Sequence, residues 1–358
     1  MVEYMFLLMV VFIIICVLIS NIVSISREGA KKITSNKTYI TLLSFIPILF
    51  MISGFFIDKV NSLIVYAHFA VIWYVLGFIR FVVNLIWKKD LNRFYCLLIA
   101  MLITSFVMMY AYKLAHNVVV TNYTITSSKL NNNYKIVQIS DSHLGTTFDA
   151  NKFSEYIDDI NKLNPDMVVI TGDLIDDSTS QGDFENGVKS LSKLNPKYGV
   201  YFVYGNHDKG YINKRDNELR QLLKDNNVTI LEDSSVEIND DIILIGRQDA
   251  SNQKRQDARD LTVEVDKDKY LIMLDHQPND YKNEEKAQVD LVLSGHTHGG
   301  QLIPIGQVGV MIGTLDKTYG MEKRGNTTFI VSSGISDWAM KFKTGTISEY
   351  VVIDLNKE

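Results

Sequence analysis

Four long apolar runs near the start of the chain constrain its fold more than any other feature. Three of them contain no charged residue, and the third in chain order contains only Arg80. Each run has about 19 residues or more, which is the length a helix needs to cross about 30 Å of hydrocarbon. We therefore predict a transmembrane segment of four helices over residues 1–116. The runs are 4–26, 38–57, 60–87 and 94–112.

The basic residues between these runs predict an orientation. Seven Lys and Arg residues lie in the two loops that join the first run to the second and the third to the fourth. Only Lys59 and Lys113 lie on the opposite side. Loops rich in Lys and Arg favour the cytoplasmic side of a membrane. We therefore expect the N-terminus, and everything after the fourth run, to lie outside the cytoplasm.

Charge is distributed unevenly along the chain. Up to His116 there are ten basic and four acidic residues, whereas the remainder has 26 basic and 37 acidic residues. An acidic domain argues against a nucleic-acid partner, which requires a basic surface. Both cysteines, Cys16 and Cys96, lie in the apolar runs, so the remainder has neither a disulfide framework nor a thiolate metal site. The polar stretch 117–133 is predicted to be a juxtamembrane linker.

From residue 134 onwards the pattern changes to short β-branched runs that alternate with amphipathic stretches. Runs such as 135–139, 167–170 and 200–204 predict buried strands, and apolar residues in 153–163 recur at helical spacing. Strand–helix alternation followed by several consecutive strands is typical of an α/β domain. We predict that 134–358 forms such a domain, with two packed β-sheets flanked by helices.

Five of the predicted strands end in a cluster of Gly, Asp, Asn or His. Five of the seven histidines lie in these clusters. Ligand sites of α/β sheets gather at the carboxyl ends of strands, and a Cys-free set of His, Asp and Asn suits Mn, Fe, Zn or Co ions. The clusters are Asp141-Ser142-His143, Gly172-Asp173-Leu174-Ile175-Asp176, Gly205-Asn206-His207-Asp208, Asp275-His276 and Gly295-His296-Thr297-His298-Gly299-Gly300.

The order of these clusters resembles the calcineurin-like metallophosphoesterase superfamily, whose motifs run D-x-H, G-D-x-x-D, G-N-H-D/E, a lone H and G-H-x-H. The resemblance covers 134 to about 355. The G-H-T-H-G-G-Q form, which ends in Gln301, is similar to the bacterial YaeI/YkuE-like membrane-associated subfamily. The resemblance implies a four-layer αββα sandwich. The four-helix membrane segment is not part of the superfamily pattern.

The same resemblance implies a site for two divalent metal ions. It implies that Asp173 bridges the ions together with a water or hydroxide that attacks phosphorus, and that Asp176 orients its loop without binding metal. Two cations close together would also offset the charge of a phosphoryl group. The other implied ligands are Asp141, His143 and His298 for the first ion, and Asn206, His276 and His296 for the second.

The resemblance leaves His207 and Asp208 as catalytic residues. His207 would protonate the leaving-group oxygen or stabilise the transition state. Asp208 would hold the His207 imidazole in position, as carboxylates often do for a catalytic histidine. Relatives often carry a Pro- and Arg-containing stretch where this chain has 339–343, so the identity of the substrate is not transferred from them.

These features predict a membrane-anchored, dinuclear-metal-dependent phosphoesterase. Its substrate would be a phosphodiester or a phosphomonoester, with envelope and lipid-linked esters among the candidates. Nucleotide pyrophosphatase and cyclic-nucleotide phosphodiesterase activities are close alternatives. A non-catalytic metal-binding membrane scaffold or sensor is a more distant one, since degenerate members of the family lose ligands and here all are present. A transporter is disfavoured because the apolar runs contain no paired charges.

The predicted orientation can be tested with reporter fusions placed after Glu358. Since the basic loops favour the cytoplasm, an alkaline-phosphatase fusion is expected to be active. A GFP fusion exported by the general secretory route is expected to remain dark. Bright GFP fluorescence together with an inactive phosphatase fusion would reverse the predicted topology.

Overall fold

A computed structural model describes residues 19–89, 91–303 and 305–358 of the chain. The chain divides into two compact units after Tyr110. The first unit is helical, and the second, Ala111–Glu358, contains the strands.

The described part of the first unit consists of helices whose starts are defined by capping side chains. Asn36 accepts hydrogen bonds from the backbone N–H groups at the start of the second helix, and Asp58 does the same for the third. Pro47 lies inside the second helix without ending it. The helices are α1 (19–33 as described), α2 (Lys37–Ile57), α3 (Lys59–Trp87) and α4 (Arg93–His116), the last of which ends in the second unit.

Three helices in the described residues are long and apolar enough to cross a membrane. They are Lys37–Phe56, Lys59–Trp87 and Arg93–His116. They coincide with the second, third and fourth apolar runs. Of the first predicted span, 4–26, only 19–26 is described, and it is helical; the rest lies outside the described residues.

The second unit contains two mixed six-stranded sheets. The first sheet has, in spatial order, β1 (Val119–Ser127), β12 (Glu349–Lys357), β2 (Tyr134–Ile139), β3 (Met167–Thr171), β4 (Val200–Val203) and β5 (Val228–Ile230). The second has β10 (Gly320–Arg324), β11 (Thr327–Val331), β9 (Leu291–Ser294), β8 (Tyr270–Leu274), β7 (Ile242–Gly246) and β6 (Ser234–Glu237). The connecting helices are α5 (Ala150–Lys162), α6 (Gln181–Ser190), α7 (Asn206–Asp225), α8 (Tyr281–Lys286) and α9 (Ile305–Met311).

Three apolar layers hold these elements together. One lies between the sheets, where Ile136 of β2 belongs to the same buried cluster as Leu244 of β7. A second joins the outer face of the first sheet to α5, α6 and α7, with Phe153 and Phe184 at its centre. The third covers the outer face of the second sheet, where Tyr281 of α8 stacks on Phe329 at 3.7 Å between ring centroids. The predicted four-layer αββα arrangement is confirmed.

The predicted linker 117–133 differs in the structure, because it contributes strand β1. This strand pairs in parallel with β12 over its whole length, from Val119 opposite Glu349 to Ser127 opposite Lys357. Its residues alternate between half-buried and exposed positions. Polar composition alone indicated a linker, whereas the period-2 pattern of Val, Tyr and Ile among Thr, Asn and Ser is typical of an edge strand.

Parallel pairing brings the five polar clusters to one edge of the sandwich. Strands β2, β3 and β4 run parallel in the first sheet, and β7, β8 and β9 run parallel in the second. The carboxyl ends of parallel strands lie at the same edge. The two sheets therefore present the residues that follow β2, β3, β4, β8 and β9 to a common site.

Candidate metal centre

The predicted ligands lie together in two adjacent groups at this edge. Within each group, one ligand atom from each side chain lies within 4.8 Å of the others. Asn206 adjoins the second group, with its Oδ1 3.2 Å from Nε2 of His276. The groups are Asp141, His143 and His298, and Asp173, His276 and His296.

Asp173 belongs to the second group and also faces the first. Its Oδ2 is 3.1 Å from Nε2 of His276 and 3.7 Å from Nε2 of His143. Its Oδ1 accepts a hydrogen bond of 2.8 Å from the backbone N–H of His207, which sets the orientation of the carboxylate. One carboxylate oxygen that faces an imidazole from each group has the position expected of a ligand shared by two ions.

Three of the imidazoles are oriented through their Nδ1 atoms. An acceptor at Nδ1 favours the tautomer that leaves Nε2 free to bind metal, and such outer contacts are typical of metal-binding histidines. Their acceptors are the carbonyl oxygen of Thr171 for His276 at 2.7 Å, Oδ2 of Asp176 for His143 at 3.1 Å, and the carbonyl oxygen of Ser336 for His298 at 3.3 Å. Asp176 therefore does more than shape its own loop, since it orients a predicted ligand.

The Nε2 atom of His143 shows that the site fits a cation. It is fully buried, and no hydrogen-bond partner satisfies it among the described residues. A buried polar atom without a partner is costly, and native structures avoid it. A divalent ion held by His143, Asp141 and His298 would satisfy this nitrogen with an N/O ligand set that such ions prefer.

Backbone strain is concentrated in the same residues. A left-handed conformation costs a non-glycine residue about 1–2 kcal/mol. Such strain persists only where the surrounding structure imposes it, and it is found most often at functional sites. Five predicted ligands have positive φ angles: Asp141 (53°), His143 (35°), Asp173 (52°), His296 (69°) and His298 (48°).

The Asp208 carboxylate accepts hydrogen bonds from four backbone N–H groups. The donors are those of Asp173 at 2.8 Å, Gly205 at 2.9 Å, Leu174 at 3.0 Å and Ile175 at 3.2 Å. Asp208 thus joins the loop after β3 to the loop after β4. Its position in the first turn of α7 directs the side chain to these loops.

Two motif glycines are required because neighbouring side chains leave no room for a Cβ. A Cβ on Gly205 would overlap the Asp173 carboxylate, and one on Gly295 would overlap the Asp141 carboxylate. The glycines therefore let two strand ends approach the ligand carboxylates closely.

His207 lies beside the two groups without belonging to either. It is half-buried in the first turn of α7, with its ring 5.1 Å from that of His143 and 4.9 Å from that of Trp338. Burial lowers the pKa of His207 below its ordinary value. Its imidazole is exposed to the cleft and can donate a hydrogen bond to a bound ester.

The pKa shifts of Asp173, Asp176 and two imidazoles favour metal binding, whereas burial raises the pKa of the predicted ligand Asp141. Although burial opposes its ionisation, contact with His276 holds the pKa of Asp173 well below its usual range. Burial similarly opposes the ionisation of Asp176, but His143 lowers its pKa to about 2. Burial lowers the pKa of His296 to about 4 and that of His298 well below 6.5. Ionised carboxylates and neutral imidazoles are the forms that coordinate cations.

His143 and His276 show the opposite shift. Burial would lower the pKa of each, but Asp176 and Asp173 outweigh it at His143, and Asp173 outweighs it at His276. A cation and a proton compete for the same imidazole nitrogen, so metal binding at these residues would release protons.

A buried lysine that the sequence did not indicate supports the first group. Lys343 is completely buried, and its Nζ donates to the carbonyl oxygen of Ser333 at 2.7 Å and lies 3.3 Å from Oδ1 of Asp337. Asp337 is also completely buried, and burial raises its pKa to about 6 although Lys343 lowers it. Ser336, whose carbonyl oxygen orients His298, directly precedes Asp337 in the chain. This lysine belongs to the stretch in which relatives often carry Pro and Arg.

Comparisons with known proteins agree with this site. Residues 134–300 match the family described as calcineurin-like phosphoesterase. A metallophosphoesterase of Aquifex aeolicus is 36% identical over 195 residues, which are 52% of this chain and 72% of that protein. One from Campylobacter jejuni is 33% identical over 231 residues, or 63% of this chain and 60% of that protein. YkuE of Bacillus subtilis is 29% identical over 236 residues, or 62% and 79%.

A two-sheet sandwich with two groups of His and Asp side chains at one edge has the residues to hold divalent metal ions. The chain belongs to the calcineurin-like phosphoesterase family, as the resemblance predicted. It spans only about 60% of the length of the Campylobacter jejuni relative. Relatives from Danio rerio and Bos taurus are named as transmembrane proteins with a metallophosphoesterase domain.

The Lys343–Asp337 pair generates a stability prediction. Lys343→Met leaves a buried carboxylate without its cation, which costs roughly 3–5 kcal/mol of folding stability. The double variant D337N/K343M removes both charges and should recover part of this loss. Thermal unfolding of the full chain, followed by circular dichroism, compares the two. A double variant no more stable than K343M would contradict the ion-pair interpretation.

Proposed function

We propose that this protein is a membrane-anchored, metal-dependent phosphoesterase that hydrolyses a phosphate ester directly, without a covalent enzyme intermediate. The observation that carries the proposal is the position of Asp173, whose Oδ2 faces an imidazole from each of the two groups. Two divalent cations bound there would neutralise phosphoryl charge and make water a better nucleophile near neutral pH. We propose Asp141, His143 and His298 as ligands of one ion, Asn206, His276 and His296 as ligands of the other, and Asp173 as their shared ligand.

The chain's own residues would then hold the reacting groups in place. Asp208 positions the Asp173 loop through backbone hydrogen bonds, and Asp176 orients His143. His207 faces the cleft and would donate a proton or a hydrogen bond to the leaving-group oxygen. Retention of every ligand and of His207 favours an enzyme over a metal-binding scaffold or sensor.

Three candidate spans in the described residues support membrane anchoring. The names of the Danio rerio and Bos taurus relatives support it as well. Together with the positive charge of the predicted cytoplasmic loops, this favours a multi-pass protein with its phosphoesterase domain outside the cytoplasm.

The activity is tested on the full chain reconstituted in nanodiscs with Mn²⁺. A panel of phosphodiesters, phosphomonoesters and lipid phosphates is compared with and without a chelator. Chelator-sensitive hydrolysis of any class supports the phosphoesterase. Tight binding of two metals without turnover of any ester would support the scaffold instead.

The position of Asp173 predicts the effect of changing it. Asp173→Asn removes the shared negative charge, so both metals should bind more weakly and hydrolysis should be lost. The measurement is metal content per chain by elemental analysis, together with turnover. Asp159→Asn, on the exposed face of α5, is the matched control and should change neither quantity. Full turnover with two metals in D173N is the result that excludes Asp173 as the shared ligand.

His207 should behave differently from the ligands. His207→Ala is expected to keep both metals but to lose roughly 10²–10⁴-fold in rate, which is typical of a lost general acid. The loss should shrink for esters of p-nitrophenol, because this leaving group needs little protonation. Kinetics on paired p-nitrophenyl and alkyl esters make the comparison. An equal defect on both esters would favour transition-state stabilisation over proton donation.

A further inference from the structure

The segment 302–315, called here the apolar flap, contains no charged residue. It directly follows the loop that carries His296 and His298, and it leads to β10. Its described side chains are unusually exposed for apolar groups: the exposed fraction is 84% for Met311, 68% for Ile312 and 58% for Ile303.

This exposure is concentrated at one place. Among the described residues of the second unit, ten large apolar side chains are exposed, and six of them belong to the apolar flap or are Trp338. Soluble surfaces rarely carry such a patch unless it binds a partner, a ligand or a membrane. The six are Ile303, Val308, Val310, Met311, Ile312 and Trp338.

The flap is continuous with the candidate metal centre. A cleft of about 690 Å³ is lined both by predicted ligands and by the apolar side chains of Leu302, Leu315, Trp338 and Met340. The Trp338 ring lies 4.9 Å from that of His207. A molecule whose phosphate reaches the metal centre would therefore extend its other end along apolar side chains.

Apart from the predicted ligands and His207, the described lining of the cleft is mainly apolar. None of the described residues that line it is Lys or Arg. Sites for nucleotides and sugar phosphates use such side chains to bind additional anionic groups. The described lining therefore favours apolar contact with the part of a substrate beyond its phosphate.

The flap is also connected to the end of a candidate membrane span. The last turn of α4 lies in the second unit. There the carbonyl oxygen of Ala111 accepts a hydrogen bond of 3.1 Å from the backbone N–H of Lys343. The next residue, Thr344, donates its backbone N–H to the carbonyl oxygen of Gln301 at 2.9 Å, at the start of the flap. One short segment thus links the end of the span to the base of the flap.

From these observations we propose that the apolar flap binds the hydrocarbon chain of a lipid phosphate ester, which enters the cleft from the membrane surface. The proposal rests on the phosphoesterase function proposed above and names its substrate class. The candidate span explains why a hydrocarbon chain would be available at this edge of the domain, and the apolar lining explains how it would be held.

The first test compares ethyl and hexadecyl p-nitrophenyl phosphate, which share one leaving group, on the full chain in nanodiscs. The readout is the ratio of kcat/KM for the hexadecyl ester to that for the ethyl ester. Leu302→Ser with Leu315→Ser, at the two flap leucines that line the cleft, should lower this ratio roughly 10²-fold, as expected for about four methylenes that lose apolar contact. The double variant V263S/M321S, at two exposed positions away from the flap, should leave it unchanged. An unchanged ratio in the flap variant overturns the proposal.

A second test does not depend on turnover and separates this proposal from the phosphoesterase function. The chain has three tryptophans, so W73F/W87F leaves Trp338 as the sole tryptophan, whose emission is excited selectively over that of tyrosine. On metal-free protein, a hexadecyl phosphate brominated along its chain should quench Trp338 saturably. The same flap variant should abolish this quenching. Quenching without hydrolysis of either ester would reject only the enzyme, whereas equal quenching in both proteins would reject the lipid site.

Discussion

The carboxylate of Asp208 is the group on which the rest of the site depends. It accepts four backbone N–H groups, three from the loop after β3 and one from the loop after β4. Charge-assisted hydrogen bonds of this kind are about twice as strong as neutral ones. They hold Asp173 in a left-handed conformation, in which its Oδ2 faces both His143 and His276.

The surrounding fold offsets the free-energy cost of the strained backbone at the site. The strained ligand residues follow the ends of β2, β3 and β9, and these strands are buried almost throughout. Rigid sheets fix the starting points of the loops, and short polar contacts such as Asp176 to His143 fix their ends. Such contacts hold the predicted ligands in place before any cation binds.

Apolar residues serve three different purposes in this chain. In the sandwich they form the core. In the helices of the first unit they form runs that are long enough to cross a membrane. In the apolar flap they remain exposed beside a polar centre. The core follows from the burial of apolar surface away from water. The length of the apolar helices follows from the thickness of a bilayer. In the third use, apolar side chains lie in the fold next to the proposed metal centre, which is why we propose that they bind a hydrocarbon chain.

Local sequence determined which residues could meet at the site. The motifs follow strands whose parallel pairing brings their carboxyl ends together, so Asp141, Asp173 and the histidines could be predicted from the chain alone. Much of the fold could also be predicted from the sequence, because apolar residues recur with different periods in strands and in amphipathic helices. Strand β1 was missed because its polar composition resembles that of a linker, although its alternation is that of a strand.

Tertiary structure decided the remainder. Asp208 binds backbone groups because the loops after β3 and β4 meet there, and no sequence pattern shows which N–H groups will lack partners. Lys343 is buried because Asp337 and the carbonyl oxygen of Ser333 surround it, whereas a lysine in a sequence is ordinarily expected at the surface. The apolar flap looks like core in the sequence and is exposed in the fold. In each case the deciding factor is which groups are brought together by residues distant in the chain, and that is a property of the packed structure.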